Sequence, residues 1–298
     1  MTRGAGSYCG RFAPSPTGPL HLGSLLAALA SYLDARAHGG RWLLRLEDID
    51  PPREQPGAAR AIIASLRAHG LGWDGSVCYQ HTRSDAYEDA LAALDRRGLL
   101  RRCYCPRRVL GPDGACEGRC GGAGDGPAAL RVRVDPAWPT AFEDRFQGTI
   151  AATPLPADFV VRRRDGLYAY QLAVVVDDHA QGISDVVRGA DLLPVTPRQR
   201  YLQTCLGYPS PHYGHCPVLL GNDGRKLSKQ NHAPGLDDSN AAENLRRGLA
   251  LLGQPVPPAS ARAPEQLLQH AVQHWAPAAL AGTMALPAAR LYPPPGIT

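Results

Sequence analysis

Apolar positions near the start of the chain form a short run, a break and a long run. Tyr8-Cys9-Gly10 is short enough for a first strand. Residues 22–38 are apolar nearly all round, and Gly39-Gly40 supplies a stop. A helix that uniformly apolar is buried, here against a sheet. Arg41-Trp42-Leu43-Leu44-Arg45-Leu46 then reads as a strand. Residues 56–69 read as an amphipathic helix closed by Gly70, and 84–97 as another, with Ser84 as N-cap and Gly98 as stop. Residues 79–82 make a short strand or loop. Alternation predicts a strand at 130–134, part of a hairpin at 146–150, and a hairpin at 159–170 with Asp165-Gly166 at its turn. The unbroken apolar run 171–176 predicts a buried parallel strand ending in Asp177-Asp178-His179. Helices follow at 196–206, with Pro197 suited to N1, at 240–252 and at 264–275. A strand at 218–220 leads into an Asn-Asp-Gly turn and a basic loop. Tyr292-Pro293-Pro294-Pro295 reads as a loose end.

Composition narrows the class. A chain of 298 residues buries a large core. Its net charge of +5 is compatible with nucleic acid but too small to argue for it alone. No run of 18 apolar residues predicts a membrane span, and no signal peptide is evident, so a cytoplasmic protein with no membrane partner is expected. Four of the eight cysteines crowd between Cys103 and Cys120. Cys103-Tyr104-Cys105 and Cys116-Glu117-Gly118-Arg119-Cys120 are two close thiol pairs joined by a glycine-bearing loop. That is the donor set of a closed, structural tetrahedral zinc site, with packing or redox cysteines as the alternative. Cys9, Cys78, Cys205 and Cys216 are scattered and read as packing residues.

The break after the first strand holds the densest chemistry. Arg11-Phe12-Ala13-Pro14-Ser15-Pro16-Thr17-Gly18-Pro19-Leu20-His21-Leu22-Gly23-Ser24 lies between strand and helix. Such a loop aims backbone N–H groups and a helix N-terminus at a phosphate. His21-Leu22-Gly23-Ser24 resembles the first signature, "HIGH", of class I aminoacyl-tRNA synthetases, and the Arg-Phe-Ala-Pro-Ser-Pro-Thr-Gly prefix resembles the glutamyl and glutaminyl branch. Lys226-Leu227-Ser228-Lys229-Gln230 resembles the second signature, "KMSKS", in the expected order. Ser24 and Gln230 depart from the two patterns. The chain after Lys229 is too short for a helical anticodon-binding part, and with the cysteine-rich insertion it resembles the truncated glutamyl-Q tRNA(Asp) synthetase family.

The resemblance implies an α/β fold: a class I synthetase Rossmann-like parallel sheet, a zinc-containing insertion and a short helical C-terminal part. The expected divisions are 1–100 and 196–240 for the two catalytic halves, 101–195 for the insertion and strands leading back, and 241–298 for the helical end. It implies activation of L-glutamate with ATP and Mg²⁺ to glutamyl-adenylate, then transfer to queuosine in the anticodon loop of tRNA(Asp), by a monomer. Arg11, Phe12, Ala13, Pro14, Ser15, Glu47, Tyr170 and Arg188 would bind glutamate. His21, Gly23, Ser24, Lys226, Ser228 and Lys229 would bind ATP, with His21 and Lys229 catalytic. Cys103, Cys105, Cys116 and Cys120 would hold one zinc. The physics of the residues agrees at two places. Glu47 ends a strand, facing the crevice where ligands of open sheets bind. An arginine, Arg188 or alternatively Arg11, suits a substrate carboxylate better than lysine does. Asp48 and Asp50 read equally well as an acidic turn, and Arg162-Arg163-Arg164 as an RNA contact or a solvated hairpin edge. Rival readings are a 3′-charging glutamyl-tRNA synthetase, an inactive zinc-containing RNA-binding module and a general nucleotidyltransferase.

Overall fold

The computed structural model describes residues 8–111, 114, 116, 126–155, 158–221, 224–227 and 234–287. The first half runs β1 (Cys9–Phe12), α1 (Leu22–Ala37), β2 (Arg41–Leu46), α2 (Ala58–Ala68), β3 (Cys78–Tyr79) and α3 (Ser84–Arg96). An antiparallel sheet follows, from β4 (Leu100–Cys103) and β5 (Ala129–Val132). Next come β6 (Phe142–Asp144), β7 (Gly148–Ile150) and β8 (Phe159–Arg162), the last pairing with β5. The second half runs α4 (Tyr170–Ala180), β9 (Asp185–Gly189), α5 (Thr196–Leu206), β10 (His212–Cys216) and β11 (Val218–Leu219). The chain then continues through α6 (Ala241–Leu251), α7 (Pro264–Gln273) and β12 (Ala285–Leu286).

Two parallel sets of strands lie side by side. One is ordered β1-β2-β3, the other β7-β6-β10-β9, with β7 the antiparallel member. Ser184 joins them just before β9: its N–H donates to Cys9 O at 3.0 Å, and its Oγ accepts from Cys9 N–H at 2.8 Å. The strand order therefore reverses between β1 and β9. That is the topological switch point at which an open α/β sheet leaves a crevice beyond its carboxyl ends. The main core packs α1 against β1 and β2, with α2, α6 and α7 closing the far side through Leu26, Leu29, Trp42, Ile62, Leu245 and Leu268. A second core joins the antiparallel sheet to α3, α4 and α5 through Val132, Phe159, Tyr87, Leu172 and Leu202. Among the described residues no helix is long and apolar enough to cross a membrane.

Three local expectations change. The run 171–176 is helical: it forms the body of α4, with Leu172, Ala173, Val174, Val175 and Val176 all buried. A helix enclosed on every side has no polar face, so its sequence reads like a central strand. Asp177 and Asp178 consequently sit inside the last turns of α4, not at a strand end. Ser84 is the first residue of α3 rather than its cap; Arg83 holds that position without a side-chain cap bond. The expected hairpin at 159–170 reduces to β8, a turn and the single bridge Arg162–Tyr168 before α4 begins.

Candidate active site

A cavity of about 810 Å³ opens at the switch point. All the sequence-predicted glutamate and ATP residues that the structure describes line it: Arg11, Phe12, Ala13, Pro14, Ser15, His21, Gly23, Ser24, Glu47, Tyr170, Arg188 and Lys226. Ser228 and Lys229 lie outside the described residues.

The elements explain the convergence. Arg11 and Phe12 end β1, Glu47 follows β2, Arg188 is the penultimate residue of β9, and Tyr170 starts α4. The proline loop is tied to the strand beside it, since Glu47 N–H donates to Pro14 O at 3.1 Å and Gln55 N–H to Pro16 O at 3.0 Å. Gly18, at φ 141°, supplies a backbone turn that other residues rarely adopt. At the start of α1, Ser24 N–H donates to His21 Nδ1 at 3.2 Å and His21 N–H to Ser24 Oγ at 3.1 Å. This reciprocal capping box fixes the ring, and with Nδ1 accepting, the ring proton sits on Nε2. Ser24, a departure from the signature, is thus the residue that closes the cap. Gly23 allows the ring to lie flat on the helix: a Cβ there would meet His21 Cε1 at 3.0 Å and Nδ1 at 3.1 Å.

The two arginines differ in their partners. Arg11 is committed to Asp178, with Nε to Oδ1 at 3.1 Å and Nη2 to Oδ2 at 3.4 Å. Fully buried Arg45 holds the same carboxylate at 2.7 Å. Burial alone would raise the Asp178 pKa, but Arg11 and Arg45 outweigh it and hold that carboxyl below its ordinary range. Glu47 lies 3.7 Å from Arg45, and its Oε1 has no hydrogen bond. Burial outweighs the attraction of Arg45 and Arg11 and pushes its pKa up to about 7. Burial, then the charge of Glu47, also raises the Tyr170 phenol.

Arg188 has no carboxylate partner among the described residues. Its Nε donates to His215 Nε2 at 3.1 Å, its Nη2 to Thr196 Oγ1 at 2.8 Å, and its Nη1 is buried with no hydrogen bond. The guanidinium also lies over the Tyr213 ring, 5.3 Å from its centroid. Such a cation on the wall of a cavity can hold an anion. Lys226 meets Asp191 Oδ2 at 2.5 Å. Gly235 forms an isolated antiparallel bridge with His21.

The thiols gather elsewhere. The Sγ atoms of Cys103, Cys105 and Cys116 all lie within 4.8 Å of one another, and those of Cys105 and Cys116 are 3.7 Å apart. Tetrahedral zinc with sulfur at about 2.3 Å separates its ligands by roughly 3.8 Å, so the spacing fits. Cys120 lies outside the described residues. The three arginines at the end of β8 and just after it are engaged within the chain: Arg162 with Glu88 at 3.1 Å, Arg163 with Asp165 at 2.6 Å, and Arg164 with Pro127 O at 3.2 Å. These contacts are compatible with a solvated hairpin edge.

Residues 9–111 and 116–257 match the family described as "tRNA synthetases class I (E and Q), catalytic domain". The Glutamyl-Q tRNA(Asp) synthetase of Cronobacter sakazakii is 51% identical over 273 residues, covering 90% of this chain and 92% of its own. That of Dechloromonas aromatica is 53% identical over 283 residues, covering 90% and 94%. The chain belongs to the glutamyl-Q tRNA(Asp) synthetase family. Its fold is that of the glutamate tRNA ligase from Elizabethkingia meningosepticum, with a TM-score of 0.76 at 21% identity. The match covers 93% of this chain and 66% of that one, so the family member spans about two thirds of the longer ligase.

As a family member it is a ligase of the class I type. The residues that sequence reasoning missed are those behind the cavity wall: Asp178 and Arg45 behind Arg11, and Thr196, His215 and Asp144 behind Arg188. Asp144 ends strand β6, and His215 is the penultimate residue of β10. The rule that ligands gather at carboxyl ends would have flagged them had those strands been recognised.

Proposed function

We propose that the protein uses ATP to activate L-glutamate as glutamyl-adenylate and transfers the glutamyl group to queuosine in the anticodon loop of tRNA(Asp). One observation carries the reading. Glu47 Oε1 and Arg188 Nη1, two buried groups of opposite charge on one cavity, both lack hydrogen bonds among the described residues. A ligand with an ammonium and a carboxylate satisfies both, and unsatisfied buried groups are costly enough to make that match a strong preference. The ammonium falls to Glu47 and a carboxylate to Arg188, with Tyr170 between. Arg11, held in place by the Asp178 carboxylate that it shares with Arg45, adds hydrogen bonds to the same wall.

In the first step a carboxylate oxygen of glutamate attacks the α-phosphorus of ATP. A P–O bond forms, the bond to the β,γ-pyrophosphate breaks, and no proton changes hands. Catalysis is therefore positioning and charge stabilisation. His21 offers Nε2–H, and the start of α1 offers its N–H groups, to the phosphates. Lys226, Ser228 and Lys229 supply hydrogen bonds and positive charge as pyrophosphate departs. Mg²⁺ enters with the nucleotide as part of the substrate. In the second step a hydroxyl oxygen of the modified nucleoside attacks the glutamyl carbonyl carbon; an ester C–O bond forms, the C–O bond to AMP breaks, and the hydroxyl proton passes to the departing AMP phosphate or to water. Cys103, Cys105 and Cys116, with Cys120 as the fourth, hold one structural zinc.

The test is ATP–pyrophosphate exchange with each amino acid and no tRNA, followed by charging of tRNA(Asp) with and without queuosine. Exchange with glutamate alone and charging only of the queuosine form are expected. Exchange that waits for tRNA(Glu) supports 3′-end charging instead. No exchange under any condition leaves an RNA-binding protein.

A further inference from the structure

We infer that Asp144 and His215 are a positioning pair that sets the Arg188 guanidinium to read a carboxylate of the substrate. The inference rests on the glutamate reading above and adds the residues that make Arg188 selective.

The three side chains come from adjacent parallel strands. His215 on β10 pairs directly with Arg188 on β9, and β6 flanks β10 on its other side, ending at Asp144. Asp144 Oδ1 accepts the backbone N–H groups of Phe146 at 3.0 Å, Gln147 at 3.0 Å and His215 at 3.1 Å. Its Oδ2 lies 2.5 Å from His215 Nδ1, and neither side chain is exposed. Burial alone would raise the Asp144 pKa; the bonds from His215 and the backbone outweigh it and keep the carboxylate ionised. An ionised carboxylate only accepts, so His215 Nδ1 must donate. Burial pushes the imidazole below its ordinary pKa against the pull of Asp144, with the Arg188 charge acting in the same direction as burial. The ring is then neutral, and its Nε2 is an acceptor aimed at the Arg188 Nε–H.

Thr196 Oγ1 accepts from Arg188 Nη2 beside it. Together His215 and Thr196 grip one edge of the guanidinium, that of Nε and Nη2. The end edge, carrying the unbonded Nη1, remains for a bidentate carboxylate. None of the gripping groups is anionic, so the arginine keeps its whole charge for the ligand. A direct aspartate partner of its own would fix the fork equally well but offset that charge.

Asp144→Asn tests this without removing volume. The three backbone donors hold the Asn oxygen, which turns its NH₂ toward His215 Nδ1. The ring proton moves to Nε2 and opposes the Arg188 Nε–H, donor against donor. In ATP–pyrophosphate exchange, loss of a hydrogen bond to a charged group predicts a KM for glutamate raised roughly tenfold to a hundredfold, with the KM for ATP within about twofold of wild type. Adding His215→Gln restores a carbonyl acceptor for Arg188 Nε and should recover most of the glutamate affinity, which a purely structural lesion would not allow. An unchanged glutamate KM in the folded Asp144→Asn protein overturns the proposal. Should that variant fail to fold, ¹⁵N shifts of His215 in the wild-type protein decide the matter. A proton on Nδ1 is expected, and one on Nε2 refutes the pairing. Wild-type protein lacking glutamate-dependent exchange would instead remove the glutamate reading, with the tautomer still deciding whether the pair holds Arg188.

Discussion

Glu47 is the residue whose charge must change when substrate arrives. Buried in the free protein, it titrates at about 7. Holding an ammonium requires the ionised form, so below that pH glutamate must expel a proton to bind. The KM for glutamate should therefore fall about tenfold per pH unit as pH rises toward 7, and level off above it. A pH-independent KM would show that Glu47 does not meet the ammonium. The same shift affects stability with a defined sign. Between its ordinary value of 4.5 and about 7 the folded state holds a proton that the unfolded state has lost, so wild-type stability drains away across that window. Glu47→Gln lacks the loss. Its unfolding free energy should gain on wild type by up to about 3 kcal/mol between those pH values and no further above them, measured by urea titration. Glu47, Tyr170 and Arg188 were legible because each sits in a contiguous motif. Asp144, Thr196 and His215 were not: three isolated residues on separate elements leave no spacing to read, and only the sheet brings them behind Arg188.

At the scale of elements, the start of α1 joins a stability rule to a functional one. Gly23 stands in the first turn of a helix, where alanine is intrinsically better by up to about 1 kcal/mol. Yet a Cβ there would press on the His21 ring, which cannot turn away without breaking its bond from Ser24 N–H. Gly23→Ala should therefore melt within a few degrees of wild type while slowing adenylate formation at least about tenfold, because a misplaced donor is costly in the transition state. Parallel loss of both, or of neither, would separate the glycine from His21. This turn was readable in advance because glycine, proline and the cap residues are local signals. The element that defied reading, α4, fails for the opposite reason. Its identity depends on the second core surrounding it, where Tyr87, Phe159 and Leu202 replace the solvent that would have imposed a polar stripe. The consequence is functional, since the helix turns Tyr170 into the cavity and Asp178 onto Arg11.

Over the whole molecule, the thiol cluster packs apart from the two cores that carry the cavity residues. Cys103 and Cys116 belong to a small cluster with Ala129, Leu110 and Val160, outside the core that seats α4. Arg131, almost wholly buried, binds Gly114 O at 2.8 Å and Asp158 O at 2.7 Å, so the thiol-bearing loop is stapled to the antiparallel sheet rather than to the cavity. A metal bound there contributes to folding of the insertion, because its ligands are not assembled in the unfolded chain. Cys103→Ser with Cys105→Ser should thus abolish metal binding and lower the melting temperature of the protein. Glutamate-dependent pyrophosphate exchange should persist within a fewfold, because the second core that carries Tyr170 uses Val132, Phe159 and Val161 and none of these thiols. Transfer to tRNA(Asp) should fall much further, since that step needs a rigid surface beyond the cavity on which to seat an anticodon loop. Equal losses in exchange and transfer would mean that the insertion supports α4 directly and that the two cores act as one. Unchanged metal content in the double variant would remove the thiol site itself.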